Sequence, residues 1–279
     1  MTSHIRLIEQ VNEPAGRWTL PRLRELWEHR EIVYFLGKRD IAVRYKQAVL
    51  GTAWVVLQPL LLALIFAVFL SLLNSRVAPS GVPTAVFALT GMTMWLFFST
   101  AMMRCTESTV SNVELISKVY FPRLAIPIAA LAQSAFDFVV SFVVLVGVLL
   151  CFGVVPPLHV LALPAIFAIA LGLALGIGLW LSALVVRYRD VKLLIPFMIQ
   201  TLIFISPVLY SLEIVPDRYQ ALYALNPLVG VLEGFRWCLL PGAPVPGLVL
   251  LVPAATGLLL IVGGLLYFQR AESTFADYI

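Results

Sequence analysis

Charged side chains are scarce in the apolar stretches of this sequence, and the few that occur there are the first candidates for chemistry. Asp137, with Gln133 one turn before it, is the only acidic residue well inside a long apolar run. A carboxylate so placed is a functional candidate, for instance a proton relay, but no second carboxylate, His, Lys or Arg lies comparably deep to work with it. A buried hydrogen-bonding contact between helices is therefore the favoured reading. Within SNVELISKVYFP, Ser111 and Glu114 have the spacing of a helix-capping box, and Pro122 stops the helix after about ten residues. Glu114 and Lys118 stand four apart and can pair, while Val113, Ile116 and Tyr120 share another face. Such a helix is either a docking surface for another subunit or a loop helix packed on its own bundle. No phosphate-binding loop or zinc-protease motif occurs, and His4, His29 and His159 are far apart. Cys105, Cys151 and Cys238 have no metal-ligand spacing and read as packing residues.

These residues are positioned by a membrane protein. The chain is 61% hydrophobic and 12% charged with a mean hydropathy of +0.97, whereas soluble domains carry roughly 25% charged residues. Its net charge of +4 does not point to nucleic acid, because the basic residues flank apolar runs instead of forming an aromatic-interleaved patch. Six runs can cross a bilayer as helices, at 53–73, 85–103, 124–151, 158–186, 193–212 and 247–268, with Pro127 and Pro164 as breakpoints in the two longest. Of the 19 Lys and Arg, 16 fall on one face and only Arg76, Arg218 and Arg236 on the other. Both termini are accordingly expected in the cytoplasm.

Three further features sit on this frame. Residues 1–52 hold no run resembling a signal peptide, and 21–47 read as an amphipathic helix bent near Gly37, lying on the membrane or packed on the protein's own face. The segment 219–240 is largely apolar but broken at Asn226-Pro227, which fits two short re-entrant helices better than a seventh span, a solvated loop or a surface-lying helix. Gly172, Gly176 and Gly178 form a small-residue face for an internal contact or for dimerisation.

Several stretches carry a family resemblance: RDIAVRYKQAVLGTAWVVLQP at 39–59, NVELISKVYFPRLAIP at 112–127 and FQRAESTFADYI at 268–279, with RYRD at 187–190 and Asn226-Pro227 between them. In order and spacing they resemble the membrane subunit of polysaccharide-exporting ABC transporters, which moves O-antigen, capsule or teichoic-acid chains across the bacterial inner membrane. The resemblance implies an all-α integral membrane protein of six transmembrane helices, with an N-terminal interface helix and a re-entrant segment before the last span. Its domains would be a cytoplasmic arm (1–52), the transmembrane unit (53–268) and a cytoplasmic tail (269–279). It also implies a homodimer that exports a lipid-linked polysaccharide, O-antigen first among them, with two copies of an ABC ATPase subunit. ATP and Mg would be bound by that partner, and this chain would need no cofactor and perform no catalysis.

On this resemblance, residues 112–121 couple to the ATPase through Asn112, Glu114, Lys118, Tyr120, Phe121 and Arg123, with Tyr120 and Phe121 offering apolar area to the partner. The interface helix contributes Arg39, Asp40, Arg44, Tyr45 and Lys46. Trp54, Trp95, Phe97 and Phe98 are candidates for a channel wall that stacks on sugar rings without fixing them by charge, or else belong to an interfacial aromatic belt. The competing functions are an ABC permease for a drug, haem or small lipid, and a membrane glycosyltransferase or acyltransferase. The enzyme reading is disfavoured because the spans offer only Asp137 where clustered polar residues would be needed.

Overall fold

The computed structural model describes residues 23–46, 53–72, 82–119, 121–272 and 275. Helices dominate because the apolar runs leave backbone polar groups no partner but one another, and no strand occurs among the described residues. The helices are α1 (Leu23–Glu28), α2 (Arg30–Lys46), α3 (Ala53–Leu72), α4 (Thr84–Ser111), α5 (Val113–Lys118), α6 (Ala125–Cys151), α7 (Leu163–Arg187), α8 (Val191–Ile205), α9 (Asp217–Ala224), α10 (Pro227–Leu239) and α11 (Leu251–Glu272). Short 3-10 turns at Leu158–Ala162 and Gly247–Leu250 lead into α7 and α11.

Four of these are long and apolar enough to cross a membrane: α4, α6, and α7 and α11 with their leading turns. Two shorter apolar stretches, Ala53–Ile65 of α3 and Val191–Ile205, flank them. The run at 193–212 does not stay helical to its end. Ser206 is extended (φ −103°, ψ 146°) ahead of Pro207, whose ring disfavours helix at the preceding residue. Pro127 and Pro164 do not act as breakpoints, since each lies in the first turn of its helix, where the missing N–H has no intrahelical role.

The core is organised around α4. Its spanning window is 83% buried, against 17–28% for the other three, although it is the least apolar of them. The two facts agree, because its Thr and Ser residues satisfy their hydroxyls within the helix and so can be buried among other helices. Thr90, Thr93 and Thr106 donate to the carbonyls of Val86, Leu89 and Met102 at 2.7–2.8 Å. The glycine face of α7 is spent inside the chain. A Cβ on Gly176 would stand 2.7 Å from Leu260 Cβ, so α7 and α11 approach more closely there than any side chain would allow, and Trp180 Nε1 donates to the Leu260 carbonyl at 3.2 Å.

Candidate functional site

The functional residues collect at the end of the bundle where α4 finishes, α6 and α8 begin and α11 ends. Here α4 runs eight residues beyond the expected span, through Arg104 to Ser111. That extension places Arg104 beside Asp137 of α6, with Nη2 to Oδ2 at 2.7 Å and Nη1 to Ser134 Oγ at 3.3 Å. Arg44 of α2 reaches the same carboxylate oxygen at 3.2 Å. Among the described residues Asp137 thus gathers Arg44 and Arg104 and joins α2, α4 and α6, and it is not a carboxylate lacking a charged neighbour. Sequence alone misplaced Arg104 because a charge reads as a span end unless its partner, 33 residues away, is known.

The arm packs on the bundle. Its break falls between α1 and α2, and Gly37 lies inside unbroken helix, where α2 crosses α6. Leu36 is buried with Phe121, Ala125, Ile126 and Ala129, while Trp27, Tyr34 and Phe35 of the same arm are about 70% exposed. Gln133 Nε2 donates to the Asp40 carbonyl at 3.3 Å. Arg39 donates from Nε to Asp40 Oδ1 and from Nη2 to Asn112 Oδ1, both at 2.8 Å. The side chains of Tyr45 and Lys46 lie outside those described.

The segment 112–121 takes a different form from the expected one. Ser111 donates to the Glu107 carbonyl at the end of α4, Asn112 occupies the N-cap position without a side-chain cap bond, and α5 is six residues long. The capping box does not form because Ser111 is still helical. Glu114 and Lys118 pair at 3.4 Å and both are exposed, as is Val119. Phe121 is 5% exposed and so presents no apolar area outward, because the chain reverses at Pro122 and folds it onto α2 and α6. Tyr120 lies outside the described residues. Arg123 ties this turn to the end of α11, donating to the Glu272 carbonyl and lying 3.8 Å from its carboxylate. Between α2 and α5 a polar recess of about 440 Å³ is lined by Arg39, Asn112, Glu114 and Lys118 among others.

Three of the four candidate channel aromatics are internal. Trp95, Phe97 and Phe98 are 2–5% exposed, and Phe97 sits against Phe138 and Phe167, which stack on each other at 4.4 Å. They are carried inward by the central position of α4. Trp54 alone is exposed, at 52%.

The opposite end holds a cluster that sequence reading missed. Asn226 caps α10 by accepting from Leu228 N at 3.0 Å, and Pro227 fills its first turn, so the break at Asn226-Pro227 falls where expected. Inside α10, Glu233 and Arg236 are buried and pair at 3.1 Å. The Arg236 Nη atoms donate to the carbonyls of Val208 (2.7 Å) and Tyr210 (2.9 Å), and its guanidinium lies 3.9 Å from the Phe87 ring centroid. Gly91 makes the room, since a Cβ there would collide with the Val208 carbonyl oxygen. An i, i+3 charge pair in an otherwise apolar turn was the available signal.

Residues 31–240, spanning α2 to α10 and therefore both clusters, match the family described as ABC-2 type transporter. The chain belongs to the ABC-2 transporter family. Relatives include the O-antigen export system permease protein RfbA of Klebsiella pneumoniae, 26% identical over 89% of this chain and 95% of that protein. The protein of the same name from Myxococcus xanthus is 25% identical over 92% and 98%. The polysialic acid transport protein KpsM of Escherichia coli is 25% identical over 84% and 92%. This ABC-2 chain is a membrane-spanning permease and not an enzyme, which ends the glycosyltransferase alternative.

Proposed function

We propose that this chain is the transmembrane subunit of an ATP-driven exporter that moves a lipid-linked polysaccharide, O-antigen foremost, across the bacterial inner membrane. The observation that carries this reading is the end-to-end likeness to permeases named for O-antigen and polysialic acid transport. Two copies form the channel, and two ATPase subunits bind ATP and Mg, leaving this chain without a cofactor of its own. α3 and α8 complete six spans, α9 and α10 form the re-entrant segment, and the arm and tail are cytoplasmic. The 16 to 3 distribution of Lys and Arg supports that orientation. With the native cysteines removed, a cysteine at Ser80 should react with an impermeant thiol reagent added outside the inner membrane, and one at Ser273 should be protected. Reversed labelling would overturn the topology.

The ATPase docks on α5 and the adjoining polar recess, through exposed Glu114 and Lys118, while the Arg39–Asn112 bond links that surface to the arm. Exchanging the charges, Glu114→Lys with Lys118→Glu, keeps the internal pair but presents the partner with inverted signs. We expect co-purifying ATPase to fall about tenfold and polymer to accumulate inside the cell, with membrane insertion unchanged. Wild-type ATPase recovery together with wild-type export would remove α5 from the coupling surface.

A further inference from the structure

Between α2 and α6 lies an open groove of about 740 Å³, within the roughly 300–1,000 Å³ typical of small-molecule sites. Its floor includes Ile128 and Ala132 of α6, and Trp27 and Tyr34 are part of its wall. The lining is apolar except at two positions, Arg30 and Lys38, and no carboxylate contributes to it. Arg30 lies 5.5 Å from the Trp27 ring centroid and Lys38 6.0 Å from that of Tyr34, and neither pairs with a carboxylate among the described residues. Two cations over amphipathic rings, above an apolar trough, match one chemistry: an acyl chain below and an anionic headgroup above.

We propose that this groove is a binding site for an anionic phospholipid, which fills the space between arm and bundle and holds α2 at the membrane surface. Charge complementarity and the apolar lining together decide the occupant, because a neutral lipid offers Arg30 and Lys38 no anion and an acidic peptide offers no acyl chain to the trough of Val33, Ile41, Ile128 and Ala132. The inference rests on α2 lying at a lipid interface. Its test reads bound lipid and not export, so failure of the site leaves the transport reading standing.

The purified full-length chain is delipidated in detergent and offered phosphatidylglycerol, phosphatidylcholine or a polyprenyl phosphate, and retained lipid is counted by native mass spectrometry. Wild type should retain phosphatidylglycerol at least about tenfold over phosphatidylcholine, and Arg30→Gln with Lys38→Gln should abolish that preference. Arg24→Gln, which removes a charge from α1 outside the groove, should leave it intact and controls for general charge loss. Should the double variant be poorly produced, Ala132→Trp, which fills the floor, should lower phosphatidylglycerol retention in the same way. Equal retention of the two phospholipids, unchanged retention in the groove variants, or preferential retention of the polyprenyl phosphate would each overturn the assignment.

Discussion

Replacing Arg236 with methionine should remove most of this protein from the membrane. The guanidinium is 1% exposed and is held by Glu233 and two backbone carbonyls, so the side chain closes the turn at 208–211 onto α10. Its loss leaves the Glu233 carboxylate buried with one remaining hydrogen-bond partner among the described residues, the Leu212 amide at 3.4 Å, and removes the guanidinium donor from both carbonyls. Breaking a buried pair from one side costs about 3–5 kcal/mol, which is a large part of a total stability of about 5–15 kcal/mol. Replacing both partners, Glu233→Leu with Arg236→Met, should recover part of that loss, because no uncompensated charge then remains. Gly91→Val should give a comparable defect from the other side, since its Cβ would stand 2.8 Å from Arg236 Nη2 as well as striking the Val208 carbonyl oxygen. Membrane-inserted protein and the unfolding midpoint of the purified chain are the measurements. A single variant with a wild-type midpoint, or a double variant no better than the single, would show that the pair does not pin this end of the fold.

The helices were legible because about twenty residues without charge have few alternatives to a membrane helix. The break at Asn226-Pro227 was legible for a local reason: Asn both caps and precedes a residue that cannot continue a helix from its amino side. What escaped depended on partners distant in sequence. Arg104 looked like the end of a span until Asp137 came to meet it, and Phe121 looked like an anchor for another subunit until the reversal at Pro122 turned it onto Leu36. Similarly, Trp95, Phe97 and Phe98 have the composition of a sugar-stacking wall, but the central position of α4 turns them inward. The lower hydropathy of that helix was the one sign in the sequence that it sits among other helices and not against lipid.

The contact between arm and bundle leads to the second large expected effect. A Cβ at Gly37 would stand 3.7 Å from Ala132 Cβ, close to the mean of about 3.8 Å across a disulfide. Gly37→Cys with Ala132→Cys, in a chain without its native cysteines, should therefore cross-link on mild oxidation. The arm is held near this point by Arg44, whose side chain is 40% exposed, so its ion pair with Asp137 contributes no more than about 1 kcal/mol. Arg104 is less exposed and closer, at 2.7 Å from the same carboxylate oxygen. Arg44 thus adds a weak contact to the buried Leu36 and to the Arg39–Asn112 and Gln133–Asp40 hydrogen bonds, which already pack the arm on the bundle. Arg44→Gln, which removes this pair and leaves Arg104 with Asp137, should slow cross-linking by about twofold to fivefold, the range expected from losing one such pair. If lifting α2 away from α6 is part of polymer entry, the oxidised double-cysteine protein should bind its ATPase normally yet export nothing until dithiothreitol is added. Absence of the cross-link would contradict the packing of α2 on α6, and full export by the cross-linked chain would show that the arm stays closed throughout transport.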